Sequence, residues 1–232
     1  MTLARHNDLS LSYVLNVPSG APDTQPMPMV IVLHGRGADA NDLADLAPHI
    51  DIPLHARSAR GGYRFIFPNA PKPFEPAPGM SYGFSWFDDW PPEPRSLAAS
   101  RATLLKFIDE VTARYSPPNG KTVLAGFSQG GLMSIDVGFR TAQPLAGIVV
   151  MSGAINDDDI PDLRARREQP ILIIHGLQDD VIPIIAARRT RRILEDHGLE
   201  PEYHEFAMGH QVNEDSIAVV GRFLRKVMSD EG

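Results

Sequence analysis

The sequence predicts an α/β fold: one domain with a mainly parallel central sheet, helices on both faces and no large lid. Three observations predict it. Short β-rich runs alternate with longer stretches of helical period, the pattern of strands joined by crossover helices. Several runs are continuously apolar, as strands covered on both faces must be. The chain's 232 residues, 43% hydrophobic and 22% charged, suffice for one substantial core.

The elements follow in order. Residues 11–17 alternate and stop at Pro18, which reads as an edge strand, and residues 19–28 form a Pro-rich linker. Met29-Val30-Ile31-Val32-Leu33, running into His34, reads as a buried strand. Further buried strands are expected at 64–67, 122–127, 147–151 and 171–174, with a last strand at 202–206. Helical spacing joins Leu104, Ile108, Val111 and Tyr115; Ala186, Thr190, Ile193 and Leu194; and Ile217, Val220, Leu224 and Val227. Asn213 is the expected N-cap of the last helix, with Glu214 and Asp215 in its first turn where the dipole favours negative charge. No internal repeat interrupts this single domain, which is read as spanning 1–232.

Residues 69–94 break the alternation. Pro71, Pro73, Pro76, Pro78, Pro91, Pro92 and Pro94 remove backbone donors, while Phe74, Tyr82, Phe84, Trp86, Phe87 and Trp90 demand burial or a ligand. This segment reads as a long, stiff loop outside regular secondary structure, either anchored by its own aromatics or lining a pocket.

Composition removes several functions. Twenty-two Lys and Arg against 29 Asp and Glu leave a charge of −7, so no basic field draws the chain to nucleic acid. No apolar run approaches the roughly 20 residues that cross a bilayer, and the first 15 residues, with Arg5, His6, Asn7 and Asp8, lack a signal-peptide apolar stretch. The expectation is a cytoplasmic protein without stable membrane insertion. Zero cysteines exclude disulfides, thiolate metal sites and a cysteine nucleophile.

The strongest chemical signal is Gly126-Phe127-Ser128-Gln129-Gly130, between an expected strand and a helix reaching about Arg140. A serine on so sharp a turn stands clear of the sheet, and the flanking glycines let backbones pass without Cβ clashes. An acid and then a histidine follow, in the order this arrangement requires. The acid lies just past a buried strand, where Asp179 and Asp180 compete; only one of two adjacent aspartates can face an imidazole. The histidine is His210, in Gly209-His210 between the last strand and the last helix.

With these residues in hand, the chain resembles the phospholipase/carboxylesterase family of small serine hydrolases, which includes acyl-protein thioesterases, within the α/β-hydrolase superfamily. Five blocks in one order carry the resemblance over nearly the whole chain: Leu33-His34-Gly35-Arg36-Gly37, Ser85-Trp86-Phe87-Asp88, Gly126 through Gly131, His175-Gly176-x-x-Asp179 with Val181 and Pro183, and Gly209-His210. The resemblance implies an α/β-hydrolase fold and a triad on Ser128, Asp179 and His210, preferring Asp179 to Asp180. It implies an oxyanion hole from the backbone N–H groups of Arg36 and Gln129, with no metal and no organic cofactor. It places Phe74, Phe84, Trp86, Phe87 and Val181 near the substrate, an acyl ester, thioester or lysophospholipid. Arginine at 36 departs from the family without cost to the hole, since its amide is the donor, but its charge at the mouth would bias substrate choice.

The remaining signals have plainer readings. Asp157-Asp158-Asp159 lacks the alternating ligands of a calcium loop and reads as a solvated connection. The arginines at 164, 166, 167, 188, 189, 191 and 192 are offset by Glu168, Glu195 and Asp196 and read as solvated faces. His34 and His175, in equivalent His-Gly pairs, read as backbone-shaping residues, not metal ligands. Exposed hydrophobics around the aromatic loop suit a homodimer or a lipid-like substrate equally. A non-catalytic binding protein on this fold, or an acyltransferase using the same residues, are the competing functions.

Overall fold

The computed structural model describes residues 2–18, 21–22, 25–50, 62–88 and 91–229. Part of the 19–28 linker and Trp90 of the aromatic loop lie outside the described residues. The strands are β1 (Thr2–His6), β2 (Tyr13–Val17), β3 (Met29–Leu33), β4 (Arg64–Pro68), β5 (Lys72–Pro73), β6 (Phe84–Ser85), β7 (Thr122–Phe127), β8 (Gly147–Met151), β9 (Ile171–Gly176) and β10 (Glu202–Phe206). The α-helices are α1 (Pro94–Tyr115), α2 (Gln129–Gly138), α3 (Ile184–Asp196) and α4 (Glu214–Met228).

Eight strands make one sheet in the order β1-β2-β4-β3-β7-β8-β9-β10. From β4 to β10 all neighbours are parallel, while β1 and β2 add antiparallel pairs at one end. The continuous apolar runs are explained by two-sided burial. In β3, Met29, Ile31 and Leu33 belong to one core and Val30 and Val32 to the other. The first core takes its helical side chains from α1, α2 and α3; the second takes them from α4 and a short 3-10 turn at Ala44–His49.

The order of strands fixes where a site can form. From β3 the chain moves to β4 on one side and later returns to β7 on the other, so β3 and β7 are neighbours across which the winding reverses. Open parallel sheets leave a crevice beyond the carboxyl ends of such a pair. The loop after β3 and the turn after β7 meet there.

Four expectations need correction. Residues 13–17 are not an edge strand: β2 is fully buried between β4 and β1, and β1 is the edge. The Thr2–His6 segment has no apolar alternation, so its pairing comes from its partner and not from its own pattern. The 69–94 loop does contain regular structure, a two-residue ladder pairing Lys72 with Ser85 and Pro73 with Phe84. Its last proline opens α1, where the missing N–H is harmless, and the Glu93 side chain accepts from Ser96 N–H. Asp159 is not simply solvated: Arg101 and Arg140 both grip its carboxylate while also holding the buried Asp136 of α2. On α3 the buried positions are Ala187, Thr190 and Leu194, so Ala187 takes the place expected of Ala186.

Helix α4 is capped as its sequence requires. The Asn213 side chain accepts from Ser216 N–H at 2.9 Å, and Ser216 Oγ accepts from Asn213 N–H at 2.9 Å. Replacing Asn213 with Ala leaves an orphan donor and should lower stability by about 1 kcal/mol, read as a lower urea midpoint with unchanged slope.

Candidate active site

The turn after β7 is built around Ser128, whose φ of 55° and ψ of −118° lie outside the regions ordinary residues favour. The two glycines explain why the chain can make it. A Cβ on Gly126 would lie 2.0 Å from the Gly130 carbonyl oxygen, and one on Gly130 would lie 2.2 Å from that of Leu33. Helix α2 therefore starts against the end of β3, with all ten of its residues buried. Ser128 N–H is tied to the neighbouring strand through Met151 O at 2.9 Å.

His210 reaches the serine from the loop between β10 and α4. Its Nε2 is 2.9 Å from Ser128 Oγ and its Nδ1 is 2.8 Å from Asp179 Oδ2. The Phe127 ring lies 4.9 Å from the imidazole, tilted by 42°. Asp179 is buried in the loop after β9, and its other oxygen accepts from Val181 N–H at 3.0 Å and Ile182 N–H at 2.8 Å. Asp180 is exposed to solvent. Two backbone amides and an imidazole thus converge on Asp179, while its neighbour faces outward. With Asp179 accepting at Nδ1, the ring carries its proton there and leaves Nε2 free to accept from the serine hydroxyl.

The N–H groups of Arg36 and Gln129 make no hydrogen bond to protein acceptors among the described residues. Gln129 is the first residue of α2, where such donors are unpaired. Arg36 follows Gly35, on which a Cβ would stand 3.4 Å from Ser128 Cβ. Both amides therefore border the serine, one at the end of each central strand.

The predicted lining residues separate. Trp86 and Phe87 have no exposed surface and belong to the core. Phe74 is half-buried under the Arg36 guanidinium, whose carbon lies 4.9 Å from the ring centre. Val181 is 63% exposed on the loop of Asp179. Phe84 lines a cleft of about 390 Å³ with Arg5, His6, Asn41 and Asn69, and Ser128, Asp179 and His210 are not among its walls. The aromatic loop is thus anchored chiefly by its own buried rings.

Sequence reasoning missed the side chain of Gln129. Its Oε1 accepts from Trp86 N–H at 3.0 Å and Ser85 Oγ–H at 3.2 Å, and its Nε2 donates to Phe87 O at 2.8 Å. These bonds stitch the start of α2 to the aromatic loop. A buried-amide role leaves no periodic trace in a sequence; only the polar residue at an otherwise apolar helix start hints at it. The two His-Gly histidines both hydrogen-bond to backbone: His34 Nδ1 to Gly35 O at 2.6 Å, His175 Nε2 to Ile182 O at 2.7 Å. His175 Nε2 also lies 3.3 Å from Asp179 Oδ2. Among the described residues no cluster of His, Asp or Glu is arranged to hold a metal ion, and no helix is long and apolar enough to cross a membrane.

Known proteins share this arrangement of elements. The phospholipase/carboxylesterase family model matches residues 19–228. Acyl-protein thioesterase 1 of Mycosarcoma maydis is 32% identical over 154 residues, a stretch spanning 60% of this chain and 61% of that protein. Acyl-protein thioesterase 1 of Kluyveromyces lactis is 29% identical over 173 residues, 70% of this chain and 73% of the other. Among solved structures, esterase PE8 covers 92% of this chain and 99% of its own at 27% identity, with a TM-score of 0.72. A carboxylesterase from Mesorhizobium loti, 21% identical, shares the fold over 96% of this chain and 98% of its own, with a TM-score of 0.77.

The close approach of α2 to β3 has a mechanical consequence. Gly130→Ala forces a methyl into the Leu33 carbonyl and should destabilise by about 2–4 kcal/mol, visible as a large drop in the guanidinium midpoint.

Proposed function

Since this chain belongs to the phospholipase/carboxylesterase family, we propose that it hydrolyses carboxylic esters and thioesters with Ser128 as nucleophile, His210 as general base and Asp179 as the acid that orients it. The observation carrying this reading is the unbroken line from Ser128 Oγ to His210 to Asp179, at 2.9 and 2.8 Å, on a serine held in a strained turn.

A neutral serine hydroxyl is a poor nucleophile. His210 Nε2 takes its proton as Oγ attacks the acyl carbonyl carbon, and the Asp179 carboxylate stabilises the imidazolium that forms. The carbonyl oxygen becomes an oxyanion, met by the N–H groups of Arg36 and Gln129, each such donor being worth roughly 3 kcal/mol in comparable sites. Collapse expels the alcohol or thiol, which leaves with the His210 proton. Water then repeats the sequence on the acyl-enzyme, with the histidine again as base, and releases the carboxylic acid. Esters and thioesters share this oxyanion, so one site serves both.

A non-catalytic binding protein has no use for the strain at Ser128. Residues in such sparsely populated backbone regions cost about 1–3 kcal/mol and cluster at active sites; of the non-glycine residues at positive φ among the described residues, Ser116, Ser128 and Ser152, Ser128 is the one bonded to an imidazole. An acyltransferase would need a site that favours an acceptor alcohol over water.

Arg36 gives the mouth its charge. Its exposed side chain stacks on Phe74 and among the described residues has no acidic partner, so it is available to an anionic substrate group.

Ser128→Ala should abolish hydrolysis of p-nitrophenyl esters and matched thioesters, a loss of about ten-thousand-fold or more, with the fold intact by circular dichroism. Asp179→Asn should cost roughly a thousand- to ten-thousand-fold in kcat and Asp180→Asn almost nothing; a reversal would overturn the assignment of the acid. Arg36→Leu should lower kcat/KM for a carboxylate-bearing ester by about two- to fivefold relative to its neutral analogue, the difference shrinking in high salt. An unchanged ratio in low salt would remove Arg36 from substrate selection.

A further inference from the structure

The loop after β3 contains a buried histidine that the proposed reaction does not use. His34 is 1% exposed, and its two ring nitrogens have different partners. Nε2 lies 3.0 Å from the backbone nitrogen of Ala70, and Nδ1 lies 2.6 Å from the carbonyl oxygen of Gly35. The Ala70 amide can only donate, so Nε2 must be the bare nitrogen and Nδ1 must carry the proton. Nδ1–H then donates to Gly35 O. The ring is thus a neutral imidazole in one tautomer. Burial also pushes its pKa below the usual histidine value, which keeps it uncharged.

What this bond holds is decided by peptide geometry. The carbonyl of Gly35 and the N–H of Arg36 belong to a single planar peptide unit and point in opposite directions. Fixing one fixes the other. The two neighbouring peptides are held separately: the indole of Trp86 donates to the carbonyl of His34 in the preceding unit at 2.9 Å, and Gly37 N–H in the following unit donates to Phe84 O at 2.8 Å. The Gly35–Arg36 unit itself takes its side-chain hold from His34. Without it the Gly35 carbonyl keeps only the longer bond from Ala38 N–H at 3.3 Å, and Gly35, lacking a Cβ, offers little steric resistance to rotation of the plane.

We propose that His34 is a positioning residue for the oxyanion hole: its Nδ1–H, clamped on the Gly35 carbonyl, aims the Arg36 N–H at the oxygen of the reacting acyl group. The role rests on the reading of the Arg36 amide as an oxyanion donor. It makes the ring act through a backbone amide, with no contact to substrate, and it uses the neutral form, so no proton moves. The loss on breaking the clamp falls on the transition state, because the ground-state carbonyl is less charged than the oxyanion.

Two substitutions separate this role from a purely structural one. His34→Asn places an amide N–H where Nδ1 stands, keeping a donor for Gly35 O but abandoning Ala70 N–H. His34→Gln places an amide oxygen near the Nε2 position, keeping an acceptor for Ala70 N–H but losing the donor to Gly35. If His34 aims the peptide, the Asn variant stays within about threefold of the parent in kcat, while the Gln variant loses on the order of 10- to 100-fold in kcat with KM little changed. The Gln variant also loses affinity for a boronic-acid transition-state analogue by a similar factor. If the ring merely pins Ala70, the order is reversed and losses follow thermal stability; that result, or equal losses in both variants, overturns the proposal. Should both variants fail to fold, ¹⁵N shifts of the parent's imidazoles decide: Nδ1 protonated supports the clamp, Nε2 protonated overturns it. Failure of the underlying reading looks different, as hydrolysis that survives Ser128→Ala or a parent protein that a fluorophosphonate does not label.

Discussion

The architecture of the site depends on one backbone constraint, the left-handed turn at Ser128. The strain is tolerated because everything around it is paired and buried. Strand β7 is paired on both sides, α2 is buried along its whole length, and Ser128 N–H is bonded across to β8. Gly131 meets the Gly153 backbone from the other flank, where an added Cβ would sit 3.1 Å from Gly153 Cα. A turn so confined cannot relax without moving three strands, so a cost of about 1–3 kcal/mol is absorbed by the surrounding packing. In return the serine hydroxyl stands above the sheet edge with a helix N-terminus beside it.

A second layer of order comes from buried polar side chains that connect loops to this turn. Gln129 satisfies backbone groups of Trp86 and Phe87, Trp86 caps the carbonyl of His34, and Ser100 of α1 donates to the carbonyl of Trp86. Each bond removes a polar group that would otherwise be buried unpaired, at about 1–3 kcal/mol each. The Pro- and aromatic-rich loop is therefore part of the core. Its indole and phenyl rings supply apolar burial while its backbone is bonded to the start of α2 and the end of β3.

The acid side is assembled on separate strands. Asp179 follows β9 and His210 follows β10, adjacent parallel strands whose carboxyl ends face the same crevice as β7. Neither residue is near Ser128 in the chain; 82 positions separate the serine from the histidine. The parallel register brings all three to one edge, which is why the acid and the histidine must each lie just beyond a strand.

Much of this is legible in the sequence alone. The continuous apolar runs mark buried parallel strands because both faces of the sheet are covered, and their spacing around Gly126-Phe127-Ser128-Gln129-Gly130 locates the turn because only glycine fits two backbones so close. The N-cap at Asn213 is equally local. Other features depended on register between distant segments: that β1 covers β2, that Asp179 and not Asp180 faces the imidazole, that Trp86 and Phe87 are buried while Val181 is exposed, and that the Gln129 amide bonds to a loop more than 40 residues away. Local periodicity records which face of an element is apolar, and so the sequence by itself determined the elements and the serine's turn. A hydrogen bond between remote side chains has no period, and only the packed structure decides which of two neighbouring groups it joins.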